Sequence, residues 1–267
     1  MIIQKVIGTL ETWAPPALAE SYDNVGLITG DKNAEITGIL ISLDCTESIV
    51  NEAITRKCNV IIAHHPIVFK GLKKITGSNY VERTIILAIK NDIAIYAIHT
   101  NLDNIFEGVN LKISNKIGLR NPKILSPKSS TMSNGEAFSI GPGMIGQLPE
   151  PMPVLDFLQS LKISMELPLI KHSLLCKDWI HTVAVCGGSG SFLIKDAIRA
   201  QADAFITADI KYHDFFDADY QITLLDIGHY HSEKFTIELI EKFLHSFMPP
   251  YIIQKTRLNT DPIQYFI

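Results

Sequence analysis

The chain has 267 residues, 46% of them apolar and 19% charged, which is enough apolar sequence to bury a substantial core and too much for a disordered protein. A formal net charge of -4 excludes the global basic footprint of a nucleic-acid binder, so nucleic acid as a partner would require a local basic patch. No stretch approaches the ~20 apolar residues of a spanning helix, the start MIIQKVIGTLETWAPP lacks the pattern of a secretory leader, and the four cysteines form no CxxC pair, so the expectation is a soluble cytoplasmic protein with reduced, packing cysteines and no membrane partner.

Residues 3–13 carry helical spacing that stops before Pro15 and Pro16, predicting a short opening helix. The isoleucine-rich run 38–43 reads as a buried strand, 46–56 as a helix and 60–63 as the next strand. A helix over 80–90, a strand over 93–98 and helical spacing over 111–117 follow. Residues 121–153 are rich in Pro, Gly and Ser and break the rhythm, with 126–136 reading as a mobile loop or an insertion point. The rhythm resumes with a helix over 153–162, a strand over 182–186, a helix over 191–200, strands over 204–207 and 222–226, a helix over 233–247 and a last strand over 263–267. Strands and helices that alternate with short links predict an α/β fold of mostly parallel sheets, here in two lobes, 1–125 and 126–267, with the C-terminal strand free to pack back on the first.

The halves align as a weak internal repeat. Ala53-Ile54 matches Ala197-Ile198 and Asn59 matches Asp203 without a gap. In each half the following strand ends in a histidine with an acid four residues later, His99 with Asp103 and His229 with Glu233, which predicts two related lobes facing one site.

Three strand ends thus carry metal-binding chemistry. His64-His65-Pro66 offers two imidazoles that point opposite ways on extended chain, or else a pair of surface histidines. Asp103 reads as a ligand or as a helix cap, and Glu233 as a ligand or as an acid favoured by a helix dipole. Their convergence fits a mixed nitrogen and oxygen shell shared by two divalent ions, with positions left for water, better than a closed structural zinc site. The run Gly187-Gly188-Ser189-Gly190-Ser191, between a strand and a helix, reads either as a tight turn or as an anion cradle built from the amides of Gly188, Ser189 and Gly190.

These motifs together, with Glu20-Ser-Tyr-Asp23-Asn24-Val-Gly26, Ala63-His64-His65-Pro66, His99-Thr-Asn-Leu-Asp103, Thr207-Ala-Asp209-Ile-Lys-Tyr-His213 and Gly228-His229-Tyr-His-Ser-Glu233, resemble the Nif-three-like family, whose bacterial members carry the name of GTP cyclohydrolase type 2 homologues. The resemblance spans nearly the whole chain. It implies two related α/β lobes, a dinuclear metal site between them and a homo-oligomer, a toroidal hexamer. Carried over motif by motif, it implies His64, His65, Asp103, His229 and Glu233 as ligands, His99 beside the site, and Glu20, Asp23, Asn24, Asp209 and His213 behind the ligands or in the pocket wall. The chain departs from the family at Gly143-Met144-Ile145-Gly146, where an arginine is common, and it has no room for the extra domain of some members near this point.

The expected function is metal-dependent hydrolysis of a nucleotide or related phosphorylated small molecule by two divalent ions, zinc, iron, manganese or magnesium. In this reading His99 or His213 moves a proton. GTP ring opening is implied by the resemblance alone. The rival is a non-catalytic metal-binding toroidal adaptor or nucleic-acid-associated protein.

Overall fold

Three four-residue strands, Ile39–Ser42, Val60–Ala63 and Ala94–Ala97, are buried at every position in a computed structural model of the chain, whose described residues are 1–131 and 137–266. A strand covered on both faces reads as a continuous apolar run, and these three pair in parallel, with Ser42 opposite Ala63 and Ala63 opposite Ala97. All three leave the sheet at one edge, which receives Asp44, His64-His65 and His99. Gly26–Thr29 adds antiparallel to Ala94–Ala97, and Ile253–Lys255 adds parallel to Ile39–Ser42, completing a five-stranded sheet. Leu40, Ile61 and Ile95 of the sheet share a core with Ile49, Val50 and Ile85 of helices Glu47–Thr55 and Tyr80–Lys90. Both helices start on a side-chain cap, Thr46 accepting from the amide of Ile49 and Asn79 from that of Glu82. This unit comprises Met1–Leu102 and Thr236–Ile263.

The second unit comprises Asp103–Phe235 with the chain from Gln264 onward. Its six strands run in the order Arg120–Ile124, Met144–Pro153, Trp179–Ser189, Ala204–Ala208, Thr223–Asp226, Lys171–His172. The pairings of Trp179–Ser189 with Ala204–Ala208 and of that strand with Thr223–Asp226 are parallel, and the flanking ones antiparallel. Phe205, Leu224 and Ala184 meet Leu193 and Ile194 in the core, where a fully buried Phe contributes about 1.5–3 kcal/mol. Each unit thus holds a parallel triplet of strands reached in the same chain order, the layout that the internal repeat anticipates.

The two sheets and their helices give the expected α/β fold, with differences in detail. The units divide within the short helix Thr100–Asp103 rather than near residue 126. The region read as loop over 121–153 holds strands Arg120–Ile124, Lys128–Thr131, Ala137–Ile140 and Met144–Pro153, while residues 132–136 of the expected mobile loop lie outside the described residues. The prolines and glycines of Met144–Pro153 hide a strand whose first five positions alternate in burial. The strand expected over 263–267 is absent from residues 263–266, Ile267 lying outside the described residues, and the last described strand is Ile253–Lys255. Among the described residues no helix is long and apolar enough to cross a membrane, and all four cysteines are free.

Candidate metal centre

The sheet edge of the first unit brings His64, His65 and His99 together, with ring centroids 5.0, 5.2 and 5.3 Å apart pairwise. Each Nδ1 is already committed. That of His64, a fully buried residue, lies 2.8 Å from the carbonyl of Ile98, and that of His65 lies 2.8 Å from Asp44 Oδ1. The Nδ1 of His99 lies 3.0 Å from both oxygens of Asp23. A carbonyl or carboxylate oxygen can only accept, so Nδ1 carries the proton and Nε2 the lone pair, the tautomer a metal ion requires. One ligand atom from each of the three histidines falls within 4.8 Å of the others, so the group can hold a metal ion.

The acceptors are themselves fixed. Asp23 takes bonds from the amide and hydroxyl of Thr100, and Asp44 takes one from Thr260 Oγ1 at 2.6 Å. Burial opposes charge on Asp23, but the His99 and Thr100 hydrogen bonds hold its carboxyl well below the usual carboxylate range. Asn101 accepts from the His99 amide at 2.9 Å and donates to the Ala14 carbonyl at 2.7 Å, which sets the turn into helix Thr100–Asp103.

In the second unit helix His229–Glu233 begins directly after Gly228, whose φ of +79° only glycine adopts readily. The expected helix began at residue 233; the actual start puts His229 and Glu233 four residues apart on one helix face, with His229 Nε2 3.1 Å from Glu233 Oε2. His229 Nδ1 lies 2.7 Å from Asp209 Oδ2. Burial disfavours the imidazolium, yet the charges of Glu233 and Asp209 and their hydrogen bonds push the His229 pKa up to about 11. Asp103 ends its helix rather than capping one, and its carbonyl accepts from Asn110 Nδ2 at 3.1 Å. The thiol of Cys186 is pushed up by burial first and then by the charges of Asp103 and Glu233, which marks a shared acidic environment.

The glycine run is not an anion cradle. Strand Trp179–Ser189 continues through it, and the amides of its glycines are spent internally, Gly187 on Asn110 Oδ1, Gly188 on Ser232 Oγ and Gly190 on Thr207 Oγ1, which takes two of the three amides that the cradle would need. Ser189 turns its hydroxyl to Asp209 Oδ2 at 2.8 Å. The glycines serve close packing instead, since a Cβ on Gly188 would lie 2.5 Å from Glu233 Oε1.

Comparison with known proteins accords with these motifs. The model of the family described as Duf34/NIF3 (NGG1p interacting factor 3) matches residues 1–262. The chain belongs to this family. It is similar to two proteins named GTP cyclohydrolase 1 type 2 homolog, one from Clostridium perfringens, 36% identical over 236 residues and 87% of each chain, and one from Clostridium acetobutylicum, 31% identical over 275 residues and 98% of each. Among solved structures, a Bacillus cereus protein related to NIF3 superposes with a TM-score of 0.89 at 26% identity, covering 100% of this chain and 99% of that one.

In this Duf34/NIF3 chain the remaining expected residues fall as follows. Asn24 donates from Nδ2 to the Val68 carbonyl at 2.6 Å, and the Glu20 amide donates to Thr100 Oγ1 at 2.9 Å. His213 lies exposed in the 3-10 turn Tyr212–Ala218 against the rings of Tyr212 and Phe216, and it belongs to none of the metal-capable groups among the described residues. Three residues that sequence reasoning passed over do support the site. Asp44 backs His65. Asn110 ties Asp103 to the glycine strand. Asp226, 1% exposed, accepts from the amides of Ile210 and Gly228 and from Lys171 Nζ at 2.6 Å, and so fixes the two loops that carry Asp209 and His229. Only the position of Asp44 and Asp226 at strand ends could have signalled them.

Proposed function

We propose that the protein is a metal-dependent hydrolase of a nucleotide or related phosphorylated small molecule, holding two divalent ions, zinc, iron, manganese or magnesium, on His64, His65, Asp103, His229 and Glu233. The observation that carries this reading is that His64 and His65 each have Nδ1 held by a carbonyl or carboxylate, which leaves Nε2 as the ligand atom, while His229 has Nδ1 on Asp209 and Nε2 beside the Glu233 carboxylate, where a cation can replace its proton. The donor set of imidazoles and carboxylates suits any of these metals. When bound, such ions supply a water acidified toward neutrality and stabilise charge on a phosphoryl or carbonyl oxygen.

The chain's own part is orientation and proton transfer. His99, with Nδ1 locked on Asp23, presents Nε2 as the group that takes or returns a proton, whereas the exposure of His213 among aromatic rings favours a surface role for it. Assembly into a homo-hexamer is part of the proposal, supported by the exposed Leu174, Tyr212, Phe216 and Tyr220 of the second unit.

The test is elemental analysis of the purified protein beside Asp103→Asn, combined with a screen of nucleotides for metal-dependent hydrolysis. About two ions per chain, with turnover abolished in Asp103→Asn while assembly persists, is the expected outcome. A chain that takes up no zinc, iron, manganese or magnesium defeats the reading.

A further inference from the structure

Beside His99 the first unit exposes two large aromatic rings that the metal donors do not use. Tyr22 is 64% exposed and Phe69 46%, with their centroids 6.3 Å apart and their planes tilted by 38°. Phe69 in turn stands edge-on to His99 at 6.2 Å. A contiguous pair of exposed rings marks a surface that another molecule can cover.

These rings are held in place. Asn24 donates to the Val68 carbonyl, which staples the Tyr22 segment to the Phe69 segment, and Asp23 between them is anchored on His99 and Thr100. The chain after Phe69 is closed by Glu82, which accepts from the amides and hydroxyls of both Thr76 and Ser78. A surface fixed at both ends loses little freedom when it binds. Residues 66–78 contain Lys70, Lys73 and Lys74, all exposed, and no acidic residue. An exposed pair of rings followed in the chain by three exposed cations and no acid suits a planar ring carrying an anionic group. Every nucleobase has a π-face that stacks on such side chains.

We propose that Tyr22 and Phe69 form the platform on which the planar ring of a nucleotide stacks, with its phosphate toward Lys70, Lys73 and Lys74. This deepens the hydrolase reading, on which it rests, by selecting ring-bearing nucleotides over sugar phosphates. The platform also brings the stacked ring beside His99, the proposed proton carrier.

The experiment is equilibrium dialysis of the metal-loaded full chain with guanosine 5′-monophosphate, adenosine 5′-monophosphate and ribose 5-phosphate, repeated for Tyr22→Ala, Phe69→Ala and Phe69→Trp, with metal content and melting temperature read in parallel. Both nucleotides should bind at least about tenfold more tightly than ribose 5-phosphate, the effect of one stacked base. Each alanine variant should remove most of that preference at unchanged metal content, and Phe69→Trp should retain it. Equal binding of all three probes, no binding of any, or alanine variants that keep the preference would overturn the platform while leaving the metal reading intact. If the chain takes up no metal, the hydrolase reading fails, and the same dialysis on the metal-free protein still decides the platform, because stacking requires no ion.

Discussion

Gly188→Ala perturbs the Glu233 carboxylate without changing any donor atom. A methyl group at Gly188 would lie 2.5 Å from Glu233 Oε1 and 3.3 Å from His229 Cε1, where ordinary contact begins at 3.4 Å. The carboxylate must therefore retreat by roughly 0.9 Å, the difference between 3.4 and 2.5 Å. The backbone at φ +63° adds about 1–2 kcal/mol of left-handed strain for an L-residue, enough to lower the melting temperature by a few degrees. A ligand shifted by that distance should weaken metal binding by about 10- to 100-fold, comparable to loss of a ligand's support. The assay is dialysis against graded zinc or manganese with elemental analysis, read beside thermal melting. Gly8→Ala supplies the contrast: Gly8 lies inside helix Ile3–Trp13, a Cβ there meets nothing within 4 Å, and the variant should gain about 1 kcal/mol at full metal content. If Gly188→Ala binds metal as tightly as the parent, Glu233 is not a ligand and the placement of the second-unit donors is wrong.

Glu233 and Asp209 push the His229 pKa up to about 11, so an ion bound at its Nε2 would displace a proton, and calorimetry at pH 7 in buffers of different ionisation enthalpy should report about one released proton that vanishes in His229→Gln. The sign for folding follows: His229 stabilises the metal-free protein fully below its ordinary 6.5, and this contribution is lost as pH rises through about 11, which pH-dependent melting will detect. Asp44→Ala, which strips the acceptor from His65 Nδ1, should weaken metal binding by about 10- to 100-fold, whereas undiminished affinity would deny His65 a ligand's role. Asp226→Asn presents an NH2 group to either the Ile210 or the Gly228 amide. Metal uptake through His229 should fall with it, as measured by dialysis. Glu82 is held at about 2, below its ordinary 4.5, chiefly by the Thr76 and Ser78 amides, so its contribution is complete above pH 4.5 and lost as pH falls through about 2. Protection of the amides of residues 76–79, taken as exchange relative to a free peptide at each pH, should fall across that window and not in Glu82→Gln, which should be weakly protected throughout.

The buried parallel strands were legible because residues covered on both faces must be apolar, as in Ile39–Ser42 and Val60–Ala63. Gly26–Thr29 and Met144–Pro153 were not, since glycine and proline at sheet flanks look like turns until a neighbouring strand is known. The candidate donors could be proposed because each lies at a strand end or within the short helix that follows it. Their supports could not, for a lone aspartate after a strand is usually a turn former, and what Asp44 does depends on the register that sets Ser42 beside Ala63. The glycine run misled for the opposite reason: the motif was visible, but the Asn110, Ser232 and Thr207 side chains that consume its amides are far away in sequence.

The two units solve the same problem in the same way. In the first, Asp44 follows one strand and turns back onto His65, which follows the adjacent parallel strand. In the second, Asp209 follows Ala204–Ala208 and turns onto His229, which follows the adjacent parallel strand Thr223–Asp226. A parallel sheet makes this inexpensive, because neighbouring strands end at one edge and deliver an acid and an imidazole side by side. Asp209 holds this position at φ +55°, a conformation that costs an L-residue about 1 kcal/mol and is tolerated best by Asp and Asn. That strain persists where Ser189 and His229 both bond to its carboxylate, so the backbone cost is offset by the two contacts, one of which orients the His229 ring. The pairs use the first and second strands of one triplet and the second and third of the other, so what the units share is the strand-edge device and not a residue-by-residue copy.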